Sequence, residues 1–376
     1  MIDAHRTADV LAVAWHPHHV DHLAPWCELL SAPLVVDGRP ALAAAVRRYP
    51  FIASAPLADA DAKADFAAFA RRVRGLAPRV LLISELFERW HLRELFGGDA
   101  APRIVYVPHG FSEKRQGWAR TTAYQDVAVL YGEHAQDQLA SLGVAGILDH
   151  AIVSGNLRRA WYRRHAGHFR SELGDIGRLP RAERTLLYAP TWTDAIGSSS
   201  FFDAFVPFAS ALPARWRLIA KLHPHLERHA EVVDTLATLA ENRDIHLVRD
   251  SPLTFPYLDL ADAYIGDMSA LAYDFLACGR PMFFTHATSG GPADASSSRL
   301  FACGTVIPPA RYDEFPRIVD AAWDLDGERY GEARRALDRY THAPFPGFEA
   351  LARAIDETTR GPAPGWMRTG AVATGR

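Results

Sequence analysis

Short apolar runs alternate with stretches of helical periodicity along most of this 376-residue chain. In the first half, Val10–Trp15, Pro33–Val36, Val80–Ile83, Ile104–Val107, Val127–Leu130 and Ile147–Val153 read as strands. Helical patterns such as Asp61–Arg74 and His134–Leu142 lie between them. In the second half the strands are Thr185–Ala189, Trp216–Lys221, Ile245–Val248, Ala261–Ile265 and Met282–Thr285. Helices Ser200–Leu212, Leu226–Glu241 and Ser269–Cys278 separate those. Strands alternating with helices imply parallel sheets covered on both faces. Two such sets predict an α/β protein of two Rossmann-like domains facing a central cleft.

The expected division is 1–155 for an acceptor-binding domain and 156–335 for a nucleotide-donor domain. Periodic helices at Tyr312–Trp323, Arg329–Tyr340 and Phe348–Thr358 follow, with 336–360 crossing back onto the first domain. The Gly/Pro-rich tail 361–376 reads as disordered. Residues 156–170, basic and aromatic, read as an interdomain helix. Its Arg158, Arg159, Arg163 and Arg164, with Trp161 and Tyr162, either touch an anionic lipid or polymer or form a solvated face over an apolar strip.

Composition narrows the function classes. A net charge of −3 gives no nucleic-acid signal. The cysteines Cys27, Cys278 and Cys303 are dispersed and odd in number, which suggests reduced thiols rather than disulfides or a zinc site. No basic segment followed by an apolar core opens the sequence, and no run has transmembrane length. The expectation is a cytoplasmic protein, with peripheral membrane contact left open.

Polar segments follow the strands at their carboxyl ends, where open parallel sheets bind ligands. The most telling is Gly266–Pro281, reading G-D-M-S-A-L-A-Y-D-F-L-A-C-G-R-P. There a buried strand turns through Asp267 and Ser269 into a helix, which suits a phosphate at the helix N-terminus. Asp274, one turn on, is placed to reach a ribose. His109-Gly110 follows another strand, with Lys114 and Arg115 nearby; a strand-end His suits a general base. Thr191, in Y-A-P-T-W-T, offers a hydroxyl and the turn offers backbone N–H groups to phosphate oxygens. Lys221 and His223, the latter stiffened by Pro224, would neutralise a leaving diphosphate. The cluster Trp15–His22 is read as an acceptor-facing loop, with His16, His19 and Asp21 as acceptor residues, and not as a metal site. Asp59-Ala60-Asp61 is formally D-x-D but reads as a solvated helix start. No metal and no cofactor is expected.

In order along the chain stand H-G-x-x-x-K-x-x-G at His109–Gly117, G-x-x-R at Gly155–Arg158, Y-A-P-T-W at Tyr188–Trp192, H-P at His223-Pro224, and D-x-S-x-x-x-x-D-F-x-x-x-x-R-P at Asp267–Pro281. Together they resemble the CDP-glycerol glycerophosphotransferase family of teichoic acid primases, polymerases and capsule-polymer relatives. Lys221 stands where that family often has Arg, and Phe345–Phe348 replaces its late D-G segment. The resemblance implies a GT-B fold with the nucleotide in the C-terminal domain. It implies that His109 and His223 are functional, with Asp267 and Ser269 near the phosphates. The expected reaction moves a phosphopolyol from a CDP-linked donor to a hydroxyl of a surface-glycan or lipid-linked precursor. A sugar-transferring GT-B enzyme, a nucleotide-sugar epimerase and a non-enzymatic scaffold are the rivals.

Overall fold

The computed structural model describes residues 9–57, 66–85, 89–96, 101–113, 122–192, 199–227, 244–249, 251–286 and 298–360. Lys114, the Asp59–Asp61 pair, most of the Leu226–Glu241 helix and the tail 361–376 lie outside these residues.

Two all-parallel sheets carry the fold. The first contains β1 (Val10–Ala14), β2 (Leu34–Val36), β3 (Ser54–Pro56), β4 (Val80–Ile83), β5 (Arg103–Tyr106), β6 (Val127–Leu130) and β7 (His150–Val153). Their order is β3-β2-β1-β4-β5-β6-β7. The second contains β8 (Arg184–Tyr188), β9 (Trp216–Lys221), β10 (Ile245–Val248), β11 (Ala263–Gly266), β12 (Met282–Phe284) and β13 (Thr305–Val306), ordered β10-β9-β8-β11-β12-β13. Each sheet reverses its winding direction once, between β1 and β4 and between β8 and β11. Ligand crevices form at the carboxyl ends of strands at such reversals. The doubly wound α/β architecture read from the sequence is therefore present twice.

The first sheet is flanked by α1 (Pro17–Leu30), α2 (Arg39–Arg48), α3 (Phe66–Leu76), α4 (Arg89–Phe96) and α5 (Glu133–Ser141). Then α6 (Leu157–Arg164) and α7 (Ala166–Ser171) lead to the second sheet, which is flanked by α8 (Phe201–Ala211), α9 (Phe255–Leu260), α10 (Ala270–Leu276) and α11 (Phe315–Trp323). The chain closes with α12 (Asp326–Thr341) and α13 (Phe348–Arg360). Helix α12 packs on both α10 and α5, and α13 packs on α1 and β7.

The strands are apolar on both faces because helices cover both. Leu11, Val13 and Ile83 point into one cluster with Phe69 and Phe96, while Ala12, Ala14 and Leu82 point into another. That second cluster also takes in Leu187, Ile219 and Tyr264 of the other sheet, so a single core runs through both halves.

Three readings need correction. The segment Trp15–His22 is not a loop: helix α1 starts at Pro17, whose fixed φ and missing N–H suit the first helical position. The short edge strands β3 and β13 were not anticipated; β3 contains Pro56, which a strand interior would exclude. The arginine-rich helix α6 is not a solvated or lipid-facing strip throughout. Arg158, Trp161 and Tyr162 are buried, and only Arg163 and Arg164 of the helix's basic residues are exposed.

Candidate active site

The carboxyl ends of β1, β5, β8, β9 and β11 converge on a cleft of about 340 Å³ between the two sheets. Of the residues singled out from the sequence, His109, Gly110, Thr191, Lys221, His223 and Ser269 line it. His18 and His22 also line it, from successive turns of α1, and Trp192 and Thr254 contribute from the second half. His109 and His223 thus face one space from opposite sheets.

The two histidines differ in what Nδ1 does. His109 Nδ1 lies 2.9 Å from the carbonyl oxygen of Ser84. A carbonyl only accepts, so Nδ1 carries the proton and Nε2 keeps a lone pair, the form of a general base. Burial holds this ring's pKa below the ordinary histidine value, with Ser84 and Glu85 opposing, so it is neutral near pH 7. In His223, the backbone N–H of His225 donates to Nδ1 at 3.2 Å. The neutral ring must therefore carry its proton on Nε2, the form of a hydrogen-bond donor. One histidine is set up to take a proton and the other to give a hydrogen bond.

Lys221, at the end of β9, supplies positive charge. Its Nζ donates to the carbonyl oxygen of Ser251 at 2.7 Å and lies 5.7 Å from the centre of the Tyr257 ring. Burial lowers its pKa to about 8, which keeps it mostly charged at pH 7.

Gly110 has φ +128°, and a Cβ there would meet the Ala270 Cβ at 2.5 Å. This glycine lets the His109 loop of the first sheet press against the start of α10 in the second. The same loop is held by Phe111 on Tyr273, ring centres 5.2 Å apart, and by Glu113 accepting from Ser298 Oγ at 3.0 Å. Ser269 precedes α10, its hydroxyl 3.2 Å from the Tyr264 hydroxyl and making no cap bond to the helix.

Several carboxylates predicted to meet ligand are turned to other work. Asp267 accepts from the backbone N–H groups of Thr191 at 2.7 Å and Ser200 at 2.8 Å, and from Ser200 Oγ at 3.0 Å. It ties the β8 loop to the start of α8. Asp267, expected near the phosphates, is committed to that tie, as is the Thr191 N–H. Asp274, expected at a ribose, does not line the cleft; it accepts from Arg158 at 3.0 Å. Asp21, expected at the acceptor, pairs with Arg158 and accepts from the Tyr49 hydroxyl at 2.9 Å. Arg158 on α6 thereby joins α1 to α10, and all three charged side chains are buried. His16 pairs with Glu85 at 3.2 Å at the entrance to α1, and His19 is buried behind His18 and His109. Neither borders the cleft.

His18 and His22 were inside the cluster noted in the sequence, but not chosen from it. Their i, i+4 spacing is the signal that puts both on one helix face; reading the segment as a loop concealed it. Among the described residues, no group of three His, Cys, Asp or Glu side chains is arranged to hold a metal ion. No helix of the described residues is long and apolar enough to cross a membrane.

Residues 162–289 match the family model described as CDP-Glycerol:Poly(glycerophosphate) glycerophosphotransferase. That span holds the Tyr188–Trp192, His223-Pro224 and Asp267–Pro281 motifs, so the resemblance read from the sequence is borne out there. No curated protein matches the chain in sequence. Among solved structures, the wall teichoic acid polymerase TagF is similar with a TM-score of 0.64 and 11% identity, over 95% of this chain and 91% of that one. HepE from Anabaena, in complex with UDP and glucose, is similar with a TM-score of 0.52 and 10% identity, over 94% and 100%. A glycosyltransferase from Rickettsia africae gives 0.51 and 11%, over 93% and 97%. The shared fold is GT-B.

Proposed function

We propose, from the match of residues 162–289 to the glycerophosphotransferase family, that this chain transfers a phosphopolyol such as glycerol phosphate from a CDP-linked donor to an acceptor hydroxyl. The observation that carries the reading is the pair of oppositely set histidines facing one cleft: His109 Nδ1 on the Ser84 carbonyl oxygen, and His223 Nδ1 accepting from the His225 N–H. The acceptor oxygen attacks the β-phosphorus, and its proton passes to His109 Nε2. The bond from the β-phosphorus to the bridging oxygen breaks, and CMP leaves. His223 and Lys221 stabilise the charge that builds on the phosphate oxygens, an electrostatic contribution of the kind that dominates phosphoryl transfer.

In this reading the nucleotide lies against the second sheet, by Thr191, Ser269 and the Ser251–Thr254 turn. The acceptor enters on the α1 side. TagF, whose fold the chain shares, has been solved with CDPG, which supports a cytidine donor. The acceptor is a lipid-linked or surface-glycan precursor of a cell-envelope polymer, met at the cytoplasmic face of the membrane. The likeness to HepE with UDP and glucose favours one rival, transfer of a sugar.

Phosphorus NMR of reactions with CDP-glycerol or UDP-glucose and a lipid-linked glycan acceptor separates the two. CMP with a new phosphodiester signal is the expected result. UDP with a new glycosidic linkage, and no turnover of CDP-glycerol, would move the assignment to a glycosyltransferase.

A further inference from the structure

The mechanism above gives no work to His18, which lines the cleft. His18 sits on the first turn of α1, its ring centre 5.6 Å from that of His109 and 6.4 Å from that of His223. It bridges the two sides of the cleft. Its Nδ1 is shut off from solvent and has no hydrogen-bond partner. Buried polar atoms in folded proteins almost always find partners; with Nδ1 enclosed, Nε2 is the nitrogen that this cleft-lining ring can offer to a ligand. His19 and His22 also have an unpaired Nδ1. However, His19 does not border the cleft, and His22 lies deeper, beside the Arg158 guanidinium that disfavours its protonation.

We infer that His18 is a third histidine of the reaction centre, donating a hydrogen bond to the phosphoryl group in transfer between His109 and His223. The inference rests on the proposed phosphoryl-transfer reading. The surroundings decide its form. His16 and His19 flank it on α1, His109 faces it from the β5 loop, and His223 and His225 face it from the β9 loop. Burial first, and then His109, His223, His16 and His225, pull its pKa to about 2, so it enters the reaction neutral, with one N–H to give. A neutral donor suits a site that already holds Lys221: it stabilises phosphate oxygens without adding a cation that the empty cleft would have to bury.

The test is a titration of the protein with its histidine rings isotopically labelled, using inorganic pyrophosphate and CDP-glycerol separately. The His18 signal is assigned by its loss in His18→Gln. The expected result is a displaced His18 signal with both ligands. His18→Ala should lower turnover about a hundredfold at an unchanged thermal midpoint, and added imidazole should restore part of it. An unmoved signal, near-normal turnover in His18→Ala, or a loss that follows a lower thermal midpoint and ignores imidazole would overturn the inference. If the alanine variant does not fold, His18→Phe, which keeps a ring and offers no donor, carries the same comparison. A His18 signal moved by pyrophosphate in a protein that releases no CMP from CDP-glycerol removes the donor assignment and keeps His18. CMP release with an unmoved His18 signal does the reverse.

Discussion

At the scale of single residues, the opposite tautomers of His109 and His223 make the two distinguishable by substitution. Glutamine offers an amide N–H but no base. His109→Gln should therefore lose as much turnover as His109→Ala, about a hundredfold or more. His223→Gln keeps a donor and should retain clearly more turnover than His223→Ala. Steady-state kinetics of the four variants checks this; equal losses at His223 would remove its role as a donor. Lys221 makes a prediction in pH. With its pKa near 8, it loses charge as pH rises through 8, so the KM for an anionic donor should climb above that point. Lys221→Met should show a high KM with no such climb. The neutral histidines act on stability in the opposite pH range. The folded-state pKa values of His18, His19, His22 and His109 are all lowered, mainly by burial. Below an unfolded histidine pKa of about 6.5, the unfolded chain binds more protons than the folded one, so stability is present above that pH and is lost as pH falls. Denaturant midpoints should drop steeply between about pH 6.5 and 5, and less steeply in His19→Phe.

At the scale of elements, the sheets were legible and the carboxylates were not. Runs such as Val127–Leu130 are apolar throughout, and only a strand covered on both faces uses such a run. Helix α1 was missed because it is buried from His19 to Cys27 with no polar stripe to mark its period. Asp267 and Asp274 follow a strand, as ligand-binding carboxylates do, and nothing local to them reveals their partners. Those partners come from 67 and 116 residues away. Gly110 was legible as a strand-end glycine, but the reason for it, Ala270 of the other half, was not. The Asp21–Arg158–Asp274 cluster gives the sharpest consequence of this correction. Asp274→Ala leaves Arg158 buried with one partner fewer, and breaking such a pair costs roughly 3–5 kcal/mol. The expected result is a large fall in thermal midpoint, with donor affinity in the surviving folded protein changed little. Replacing Asp21, Arg158 and Asp274 together by apolar residues should cost less than the single change. Calorimetric unfolding and nucleotide titration of the same samples separate the two effects; loss of donor binding at an unchanged midpoint would return Asp274 to the ribose.

At the scale of the whole molecule, the chain crosses between its halves twice. It passes once through α6 and once through the segment that joins α12 to α13. The second crossing is closely fitted. The backbone N–H of Ala343 donates to the Tyr131 carbonyl oxygen at 2.9 Å, and a Cβ on Gly155, at φ +59°, would meet the Ala343 oxygen at 2.4 Å. Helix α13 then buries Leu351 and Ile355, and Arg79 of the first half donates to Thr359 at 3.0 Å. Since the main core already takes residues from both sheets, the intact protein should unfold in one transition. Removing the chain from Ala343 onward opens the slot over β7 and α1, and takes away the second tie. Each large side chain lost from such a slot costs on the order of 2–5 kcal/mol, and the loss falls on the first half. The truncated protein should therefore melt in two steps. The early step should report the first half through faster hydrogen exchange at β6 and β7, while β8 and β9 stay protected to the later one. If the truncated chain still melts in a single step, with exchange at β6 and β7 no faster than at β8 and β9, then Arg158 and the shared core suffice to couple the halves, and α13 serves the first sheet only as a cover.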